Sequence, residues 1–346
     1  MAILYHLTML PPDNPDCEAL SQEVSVLRAR FGGEVVYLNP NRSAPIYIPR
    51  LFFGLHLLRT LRQSEGRFHL HHAYNPDPFP FPVLRALRRP VVYSLTGGVA
   101  RRPPISFLSR IAAVTVMDTK SLARLRAWGL ENVFRVSPGI DTTRFTYTPR
   151  PWERDIWLMA GSAPWTKEQF HTKGVTALLE AAQQEPRLHL VFLWRGVLTK
   201  RMMEQVAAAG LEERVTVLDR QVNVNRVLAG VHASVVLAST PTIVKAYPHS
   251  LMESLASGKP VLISRAIPMA EDVAAMGCGV VVEEISTTGV LDALASLERD
   301  YENYQQAARA VGREMFSLEG MVRSFRDVYR AVAGSAVYRP LAQGEP

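Results

Sequence analysis

Cysteine is nearly absent from this sequence, since Cys17 and Cys278 are the only two among 346 residues. Two thiols so far apart in the chain exclude a disulfide framework and a cysteine-rich zinc module, and they suit a reducing compartment. Long apolar runs are also missing, because no stretch approaches the roughly 20 apolar residues that a membrane-spanning helix needs. We therefore expect a cytoplasmic protein without a membrane-spanning helix.

The glycine-rich motifs of many nucleotide-binding proteins are missing too. After the first predicted strand of each half, the chain continues as LPPDNPDCEAL (10–20) and as SAPWTKEQFHTKG (162–174). Neither segment contains G-x-G-x-x-G, whose glycines let the chain turn tightly against a pyrophosphate, and G-x-x-x-x-G-K-[ST] does not occur. This disfavours a nicotinamide or flavin oxidoreductase, and we expect no cofactor.

Lysine is scarce although the chain is basic. The formal net charge is +7 and the pI is near 9.5, yet there are six lysines, at positions 120, 167, 173, 200, 245 and 259. The arginine surplus fits genome composition better than function, although it would suit a protein that handles phosphates or rests on anionic lipid. The remaining composition is that of a globular protein, which excludes disorder, collagen and coiled coils. No nucleic acid partner is expected.

Predicted strands and helices alternate along both halves of the chain, which predicts parallel sheets with right-handed crossovers. The length favours two domains, because single hydrophobic cores stop growing at roughly 250–300 residues. The polar, proline-containing segment 146–155 is the best linker candidate. We therefore predict an α/β fold of two doubly wound, Rossmann-like domains that face each other across a cleft. The predicted boundaries are 1–148, 149–320, and 321–346 for a C-terminal helix and tail.

Two predicted helix starts in the second half are suited to bind anions. Lys173 lies at the start of TKGVTALLEAA (172–182), where unpaired amides and the positive end of the helix dipole meet an ammonium group. In KAYPHSLMESLASG (245–258), Pro248 is the first predicted helical residue and Gly258 the predicted C-cap. The amides that would then point out of the helix start belong to His249, Ser250 and Leu251. Both helix starts suit a diphosphate.

Three segments together resemble a known family: VFRVSPGIDTTRF (133–145), GSAPWTKEQFHTKGVTALLEAA (161–182) and KAYPHSLMESLASGKPVLIS (245–264). They are similar to the retaining glycosyltransferases of the GT-B fold, family 4 (group 1). Such enzymes pass a sugar from a nucleoside diphosphate sugar to an acceptor with retention of anomeric configuration. The resemblance runs from about Ile111 to Tyr329. It is faint over the first hundred residues, where acceptors usually bind in the family.

The resemblance implies roles for two residues that match the family pattern. Lys173 would neutralise charge on the leaving phosphate, and Glu253 would accept hydrogen bonds from the ribose hydroxyls of the nucleotide. The family's second glutamate, eight residues before Glu253, is Lys245 here. This departure implies a different donor sugar that is acidic or phosphorylated, a new role for Lys245 as a phosphate clamp, or loss of activity.

Other positions depart from the pattern as well. Ser162 stands where the family usually has an arginine that clamps the diphosphate, and Lys167 in the longer loop is a candidate to supply that charge. Arg195 stands where a glycine-rich turn often lies near the nucleotide, so it would stack on the base, pair with a phosphate or lie at the surface. Thr96 replaces a histidine near the donor sugar. The amides of the residues after it would approach a ligand closely: Gly97 and Gly98.

The segment RLFFGLHLLRTLR (50–62) is basic and amphipathic. Its leucines at 51, 55, 58 and 61 would share one face of a helix, flanked by arginines at 50, 59 and 62. One interpretation is a helix that faces the core of the first domain. The other is peripheral docking on anionic lipid at the inner face of the membrane.

The leading hypothesis is a metal-independent, retaining glycosyltransferase with a nucleoside diphosphate sugar as donor and a glycan, lipid-linked or small-molecule acceptor. No D-x-D stands in a convincing position, so lysine and helix starts would do the work of a metal ion. The second hypothesis is a sugar-nucleotide epimerase of the same fold, which would need carboxylates to move protons. The third is a catalytically silent scaffold that binds nucleotide.

Overall fold

The computed structural model describes residues 1–12, 18–42, 44–194 and 198–335. The chain divides into two compact units. The first combines Met1–Pro138 with the segment that begins at Leu318, and the second is Gly139–Ser317. Within the described residues, no helix has both the length and the apolar character to cross a bilayer.

The first unit is built on a six-stranded parallel sheet. Its strands are β1 (Ile3–Leu7), β2 (Gly33–Tyr37), β3 (Leu70–Asn75), β4 (Val91–Leu95), β5 (Ala113–Val116) and β6 (Val133–Arg135). Their order across the sheet is β2-β1-β3-β4-β5-β6. Ile3 of β1, the second strand across the sheet, pairs with Gly33 on one side and with Leu70 on the other. The strand order therefore reverses between β1 and β3.

The second unit repeats this plan. Its strands are β7 (Ile156–Ala160), β8 (Leu188–Leu193), β9 (Val215–Leu218), β10 (Ala233–Val236), β11 (Val261–Ser264) and β12 (Gly279–Val282). Their order is β12-β11-β10-β7-β8-β9, all parallel, with the reversal between β7 and β10. The predicted fold class, an α/β protein with two doubly wound parallel sheets, is confirmed.

Helices flank both sheets. In the described residues they are α1 (Ala19–Phe31), α2 (Leu58–Ser64), α3 (Pro82–Arg85), α4 (Ile105–Leu108), α5 (Thr119–Ala127), α6 (Gln169–Thr172), α7 (Val175–Gln184), α8 (Thr199–Ala208), α9 (Val224–Ala229), α10 (His249–Ala256), α11 (Ala270–Met276), α12 (Thr287–Arg299), α13 (Tyr301–Glu314) and α14 (Leu318–Ser335). Because helices cover the sheets, strands such as β1, β4 and β10 are buried along their whole length and have near-continuous apolar sequences.

The segment 50–62 is not the single helix that its leucine spacing predicts. It forms two short 3₁₀ turns, Arg50–Phe52 and Leu55–Leu57, before α2 begins. Gly54 lies between the turns with a left-handed backbone (φ 79°), which ends the first turn and redirects the chain. Leu61 is buried, whereas Leu51 and Leu55 are exposed. The proposed apolar face is therefore divided between the core and the surface.

Two histidines of β3 belong to the buried interior of the first unit. His71 lies 2.8 Å from His6 and 3.2 Å from the Glu65 carboxylate. His72 lies 2.7 Å from the Tyr329 hydroxyl of α14. Burial lowers the pKa of both β3 histidines, so they are neutral structural residues.

A buried histidine of the second unit is also held in its neutral form. His232 accepts a hydrogen bond at Nδ1 from the Trp157 amide (3.0 Å) and donates from Nε2 to the Pro151 carbonyl (3.2 Å). Burial, followed by the charge of Arg150, lowers the pKa of His232 to about 4. A second proton would be placed on Nδ1, where it would meet the Trp157 N–H.

We expect the second unit to lose stability as the pH falls from about 6.5 to about 4. In that range the unfolded chain takes up a proton on His232 and the folded chain does not, so the free energy of unfolding falls by up to about 3 kcal/mol. Urea unfolding at a series of pH values measures this slope. His232→Gln should flatten it, whereas His56→Gln, at an exposed position, should leave it unchanged. An unchanged slope in His232→Gln would contradict the assignment.

Candidate functional site

The candidate residues of the second unit gather where its strand order reverses, at the carboxyl ends of β7 and β10. Gly161 directly follows β7, and a Cβ built on it would lie 2.5 Å from the Cβ of Ser250 in α10. Only glycine lets the strand end and the helix start approach this closely. In open α/β sheets, ligands bind in the crevice at such a reversal.

Lys173 lies at this edge, between α6 and α7, and is only 6% exposed. Its Nζ donates to the carbonyl of Ala163 (2.9 Å) in the loop after β7. Burial lowers the pKa of Lys173 to about 8. A lysine is rarely buried without a carboxylate partner, and here the protein acceptor is a neutral carbonyl. The remaining N–H donors of the ammonium are suited to an anionic ligand.

Backbone contacts connect the Lys173 segment to the end of β10. The Ser239 amide donates to the Thr172 carbonyl (2.8 Å). Gly174, the N-cap of α7, has a left-handed backbone (φ 68°), and a Cβ there would come within 2.5 Å of Leu237. The start of α7 is therefore fixed against the strand that neighbours β7.

The start of α10 lies at the same edge, with one difference from the prediction. Pro248 is the N-cap rather than the first helical residue, and Ser257 rather than Gly258 is the C-cap. The Leu251 amide does not point out of the helix, because it donates to the Pro248 carbonyl (3.1 Å). Its side chain is fully buried. The expected contribution of Leu251 to an anion cradle is therefore wrong.

His249 and Ser250 are half-buried at this helix start, and Lys245 approaches it from the preceding loop. The Nζ of Lys245 lies 3.4 Å from Nε2 of His249. Glu253 lies about one turn further along α10 and is partly exposed. Helix α13 fixes α10 from behind: a Cβ on its Gly312 would come within 1.9 Å of the Leu255 carbonyl.

The other predicted residues of this unit have less defined environments. Ser162 is partly exposed directly after Gly161, and Lys167 is exposed in the same loop. Trp165 in this loop is 63% exposed. Arg195 lies outside the described residues.

In the first unit, Thr96, Gly97 and Gly98 follow β4 and are all buried. The Thr96 amide donates to the Asn75 carbonyl, and the Gly97 amide donates to the Pro76 carbonyl, both at 3.0 Å. The Gly97 amide is therefore used by the fold, and the expectation that it would approach a ligand is wrong. The physical reason is that the chain after β4 hydrogen-bonds to the chain after β3.

A polar cluster that sequence reasoning missed lies at the reversal point of the first sheet. Arg50 donates to both carboxylate oxygens of Asp77 and to Oδ1 of Asn75, and its guanidinium lies 4.4 Å from the centre of the Phe79 ring. Thr8, after β1, donates to the same Asn75 oxygen (2.6 Å). The signal was present in the sequence: NPDPF (75–79) begins with the last residue of β3, at a strand end where polar side chains commonly form sites.

The described residues contain no group of three or more histidine, cysteine, aspartate or glutamate side chains arranged to hold a metal ion. The donors at the second sheet are instead cationic or amide groups, which are suited to bind phosphate oxygens.

Comparison with known proteins bears on the second unit in particular. Residues 165–314 match the model of a family described as glycosyl transferases group 1. The matched range includes Lys173, Lys245 and Glu253, and it starts after Ser162. No curated protein matches the chain.

Solved structures resemble the chain over nearly its whole length. Anabaena Alr3699/HepE in complex with UDP has 16% identity and a TM-score of 0.70, with 96% of this chain and 100% of that chain covered. Sucrose-phosphate synthase (tll1590) from Thermosynechococcus elongatus has 15% identity and a TM-score of 0.71, with 97% and 100% covered. A glycosyltransferase from Rickettsia africae ESF-5 has 12% identity and a TM-score of 0.69, with 96% and 98% covered. At these identities the likeness shows the fold, which is GT-B.

Proposed function

We propose that the chain is a retaining, metal-independent glycosyltransferase of family 4 that takes a nucleoside diphosphate sugar as donor. The observation that carries the proposal is the buried Lys173 ammonium, which has a neutral carbonyl as its protein acceptor and lies at the strand reversal of the second sheet. The family match over 165–314 supports it. So does Alr3699/HepE, a protein of the same fold whose structure contains UDP.

In this proposal the second unit stabilises the leaving nucleoside diphosphate. The bond between the anomeric carbon and the phosphate oxygen breaks, and negative charge grows on the diphosphate opposite Lys173 and the start of α10. Such preorganised electrostatic stabilisation is usually the largest catalytic term. The acceptor oxygen forms the new bond on the same face of the sugar, and its proton passes to the leaving phosphate. Glu253 accepts hydrogen bonds from the ribose hydroxyls.

Lys245 stands where the family usually has a glutamate that contacts the donor sugar, so the contacts to the donor should differ from those in the usual family member. A lysine cannot accept hydrogen bonds from sugar hydroxyls, whereas beside His249 it offers donors to a carboxylate or a phosphate. We propose an acidic or phosphorylated sugar, or a clamp on the diphosphate that replaces the arginine missing at Ser162. A donor panel that contains both UDP-glucose and UDP-glucuronic acid separates these two roles.

The acceptor is a glycan, a lipid-linked sugar or a small molecule, and we propose that the first unit binds it. Arg50, Asn75 and Asp77 support this assignment, because a carboxylate and an amide at a strand reversal suit sugar hydroxyls.

Thermal-shift measurements with UDP, GDP, TDP and their sugars test donor binding. A stabilising shift with one nucleotide family is expected, and no shift with any of them contradicts the proposal. Acceptor-dependent release of the nucleoside diphosphate then distinguishes transfer from an epimerase and from a silent scaffold. The anomeric configuration of the product, measured by NMR, tests retention, and activity that persists in EDTA tests metal independence.

Glu253→Ala is expected to weaken nucleotide binding by about ten- to a hundredfold, because a hydrogen bond to a charged group contributes about 1.5–3 kcal/mol. Lys245→Ala should have a smaller effect on the bare nucleotide, because in one proposed role Lys245 contacts only the sugar, and in the other it shares the diphosphate with Lys173 and the start of α10. Titration calorimetry with the best nucleotide measures both. Glu212→Ala, an exposed carboxylate in the same unit, is the control. The reverse ranking of Glu253 and Lys245 would contradict the assignment.

A further inference from the structure

Among the described residues of the second unit, Trp165 is the one exposed tryptophan, tyrosine or phenylalanine. It is 63% exposed, and the other exposed large hydrophobic residues of that unit are methionines, Met203 (51%) and Met315 (36%). Single exposed apolar residues are common, but tryptophan is highly buried on average. This one also lies in the loop after β7, at the edge of the sheet where the candidate site is.

The loop that carries Trp165 is attached to the fold on both sides of the ring. On the side of β7, the Ala163 carbonyl accepts a hydrogen bond from Nζ of Lys173 (2.9 Å). On the other side, the Trp165 amide donates to Oε1 of Gln169 (2.8 Å), and Phe170 is only 1% exposed. A residue held in this way loses little conformational freedom when a ligand covers its side chain, which favours binding.

The same loop places Trp165 near the Lys173 ammonium. Trp165 lies two residues beyond Ala163, a separation of at most about 7 Å along the backbone. Ala163 in turn contacts Lys173 directly. A ligand that is bound to the ammonium therefore lies within reach of an indole ring at position 165.

The part of the donor nearest to this loop is the sugar. In the proposed function Lys173 faces the leaving phosphate, and the group attached to that phosphate is the anomeric carbon of the sugar. Glu253 of α10 binds the ribose. The base lies beyond the second phosphate and the ribose, so it is further from the reacting bond than the sugar is.

On the basis of the proposed function, we infer that the indole ring of Trp165 packs on the C–H face of the donor sugar and shields the anomeric carbon from water. Ligand sites of this kind combine aromatic surfaces with a few polar groups that fix orientation. Lys245 supplies the polar contact in one of its proposed roles. Glucose and glucuronic acid have the same ring C–H groups, so the contact is compatible with either role of Lys245.

Hydrolysis of the donor is the side reaction that this contact suppresses. In hydrolysis the oxygen of a water molecule bonds to the anomeric carbon, and the bond from that carbon to the phosphate oxygen breaks. One proton of the water passes to the leaving phosphate, so the products are free sugar and nucleoside diphosphate. Exclusion of water from a reacting centre prevents such a reaction.

Titration calorimetry on the full chain tests the contact with Trp165→Ala and Trp165→Phe. The probes are UDP, GDP and TDP, and the nucleotide sugars UDP-glucose, UDP-glucuronic acid, GDP-mannose and TDP-glucose. Trp165→Ala should weaken the nucleotide sugar that binds best by about tenfold, and its bare nucleotide by less than about twofold, because only the sugar loses an apolar contact. Trp165→Phe should lose less, since it keeps an aromatic ring.

Two further measurements report on the ring itself. At saturating donor and without acceptor, Trp165→Ala should release free sugar several-fold faster than the wild-type chain does. In the wild-type chain, the nucleotide sugar should shift the tryptophan emission to shorter wavelengths as the ring leaves water. That shift should be absent in Trp165→Phe, because the four other tryptophans are buried or half-buried: Trp128, Trp152, Trp157 and Trp194.

Met203→Ala is the matched control, since it removes an exposed apolar side chain from the same unit and should bind every probe as the wild-type chain does. Because Trp165 is exposed, its variants should unfold at nearly the wild-type temperature, so a loss of binding would not reflect unfolding.

Three results with Trp165→Ala would overturn the inference: an unchanged affinity for the nucleotide sugar, an equal loss for the bare nucleotide, or release of free sugar no faster than in the wild-type chain. Nucleotide binding by the wild-type chain would still support the proposed function in each of these cases. If none of the probes binds the wild-type chain, the proposed function fails, and the role of Trp165 fails with it.

Discussion

Lys173→Met is expected to lower turnover by about a hundred- to a thousandfold while the protein becomes more stable at neutral pH. The loss of turnover follows from removal of the charge that opposes the leaving diphosphate, and removal of one preorganised donor in other enzymes has an effect of this size. Steady-state kinetics with the best donor measures it. Lys167→Met, which removes an exposed lysine from the same loop, is the matched control.

The gain in stability follows from the burial of this lysine. The pKa of Lys173 is about 8 in the folded chain against 10.5 for an ordinary lysine. At pH 7 both states carry the proton, so the folded state bears the full cost of burying the charge, about 3 kcal/mol. Methionine removes this cost and gives up one hydrogen bond to Ala163, worth about 1 kcal/mol. Chemical denaturation should therefore show a net gain of about 2 kcal/mol.

These two measurements together distinguish a functional lysine from a structural one. If Lys173 served only the fold, its replacement would lower the stability of the protein and would affect turnover only through unfolding. Turnover near the wild-type value in Lys173→Met would overturn the proposed mechanism. Donor affinity should also fall as the pH rises through about 8, because the neutral amine no longer attracts the diphosphate. Bound diphosphate should shift this transition to higher pH.

The architecture could be predicted because each strand and helix has a local sequence pattern that indicates it. Buried strands such as β1 and β10 are short apolar runs, and the helices between them have their own caps and spacing. The positions of the main candidate residues of the second unit could also be predicted from the order of strands and helices. In a doubly wound sheet the residues just after a strand and at the start of a helix meet at one edge, and Lys173 and Ser250 have such positions in the sequence.

Features that depend on contacts between distant segments could not be predicted in this way. Arg50 and Asp77 lie 27 residues apart, and only the position of the strand reversal brings them together. The amide of Gly97 was expected to bind a ligand, but the neighbouring strand end supplies its acceptor, Pro76. The break in the 50–62 helix depends on Gly54, whose left-handed backbone fits between Leu38 and Val83. The spacing of the leucines contains no information about these two contacts.

Gly161 lies so close to α10 that a side chain at this position should have a large effect on stability and on binding. Gly161→Ala should destabilise the second unit by about 1–3 kcal/mol, because its Cβ would lie 2.5 Å from the Ser250 Cβ and would push the helix start away from β7. Nucleotide affinity should fall as well, since α10 carries both His249 and Glu253. Thermal unfolding and nucleotide titration measure the two effects. Gly66→Ala is the control, because a Cβ there meets nothing within 4 Å.

A second substitution shows whether this contact is the cause. Ser250→Gly removes the Cβ and Oγ that the new methyl group would meet, so Gly161→Ala/Ser250→Gly should recover most of the stability that Gly161→Ala loses. Contacting residues of this kind have interaction energies that a double-mutant cycle measures directly. Additive effects of the two substitutions would mean that the strand end and the helix start do not touch. The site at the carboxyl edge would then lose its geometric basis, since this contact joins the loop that reaches Lys173 to the helix that carries Glu253.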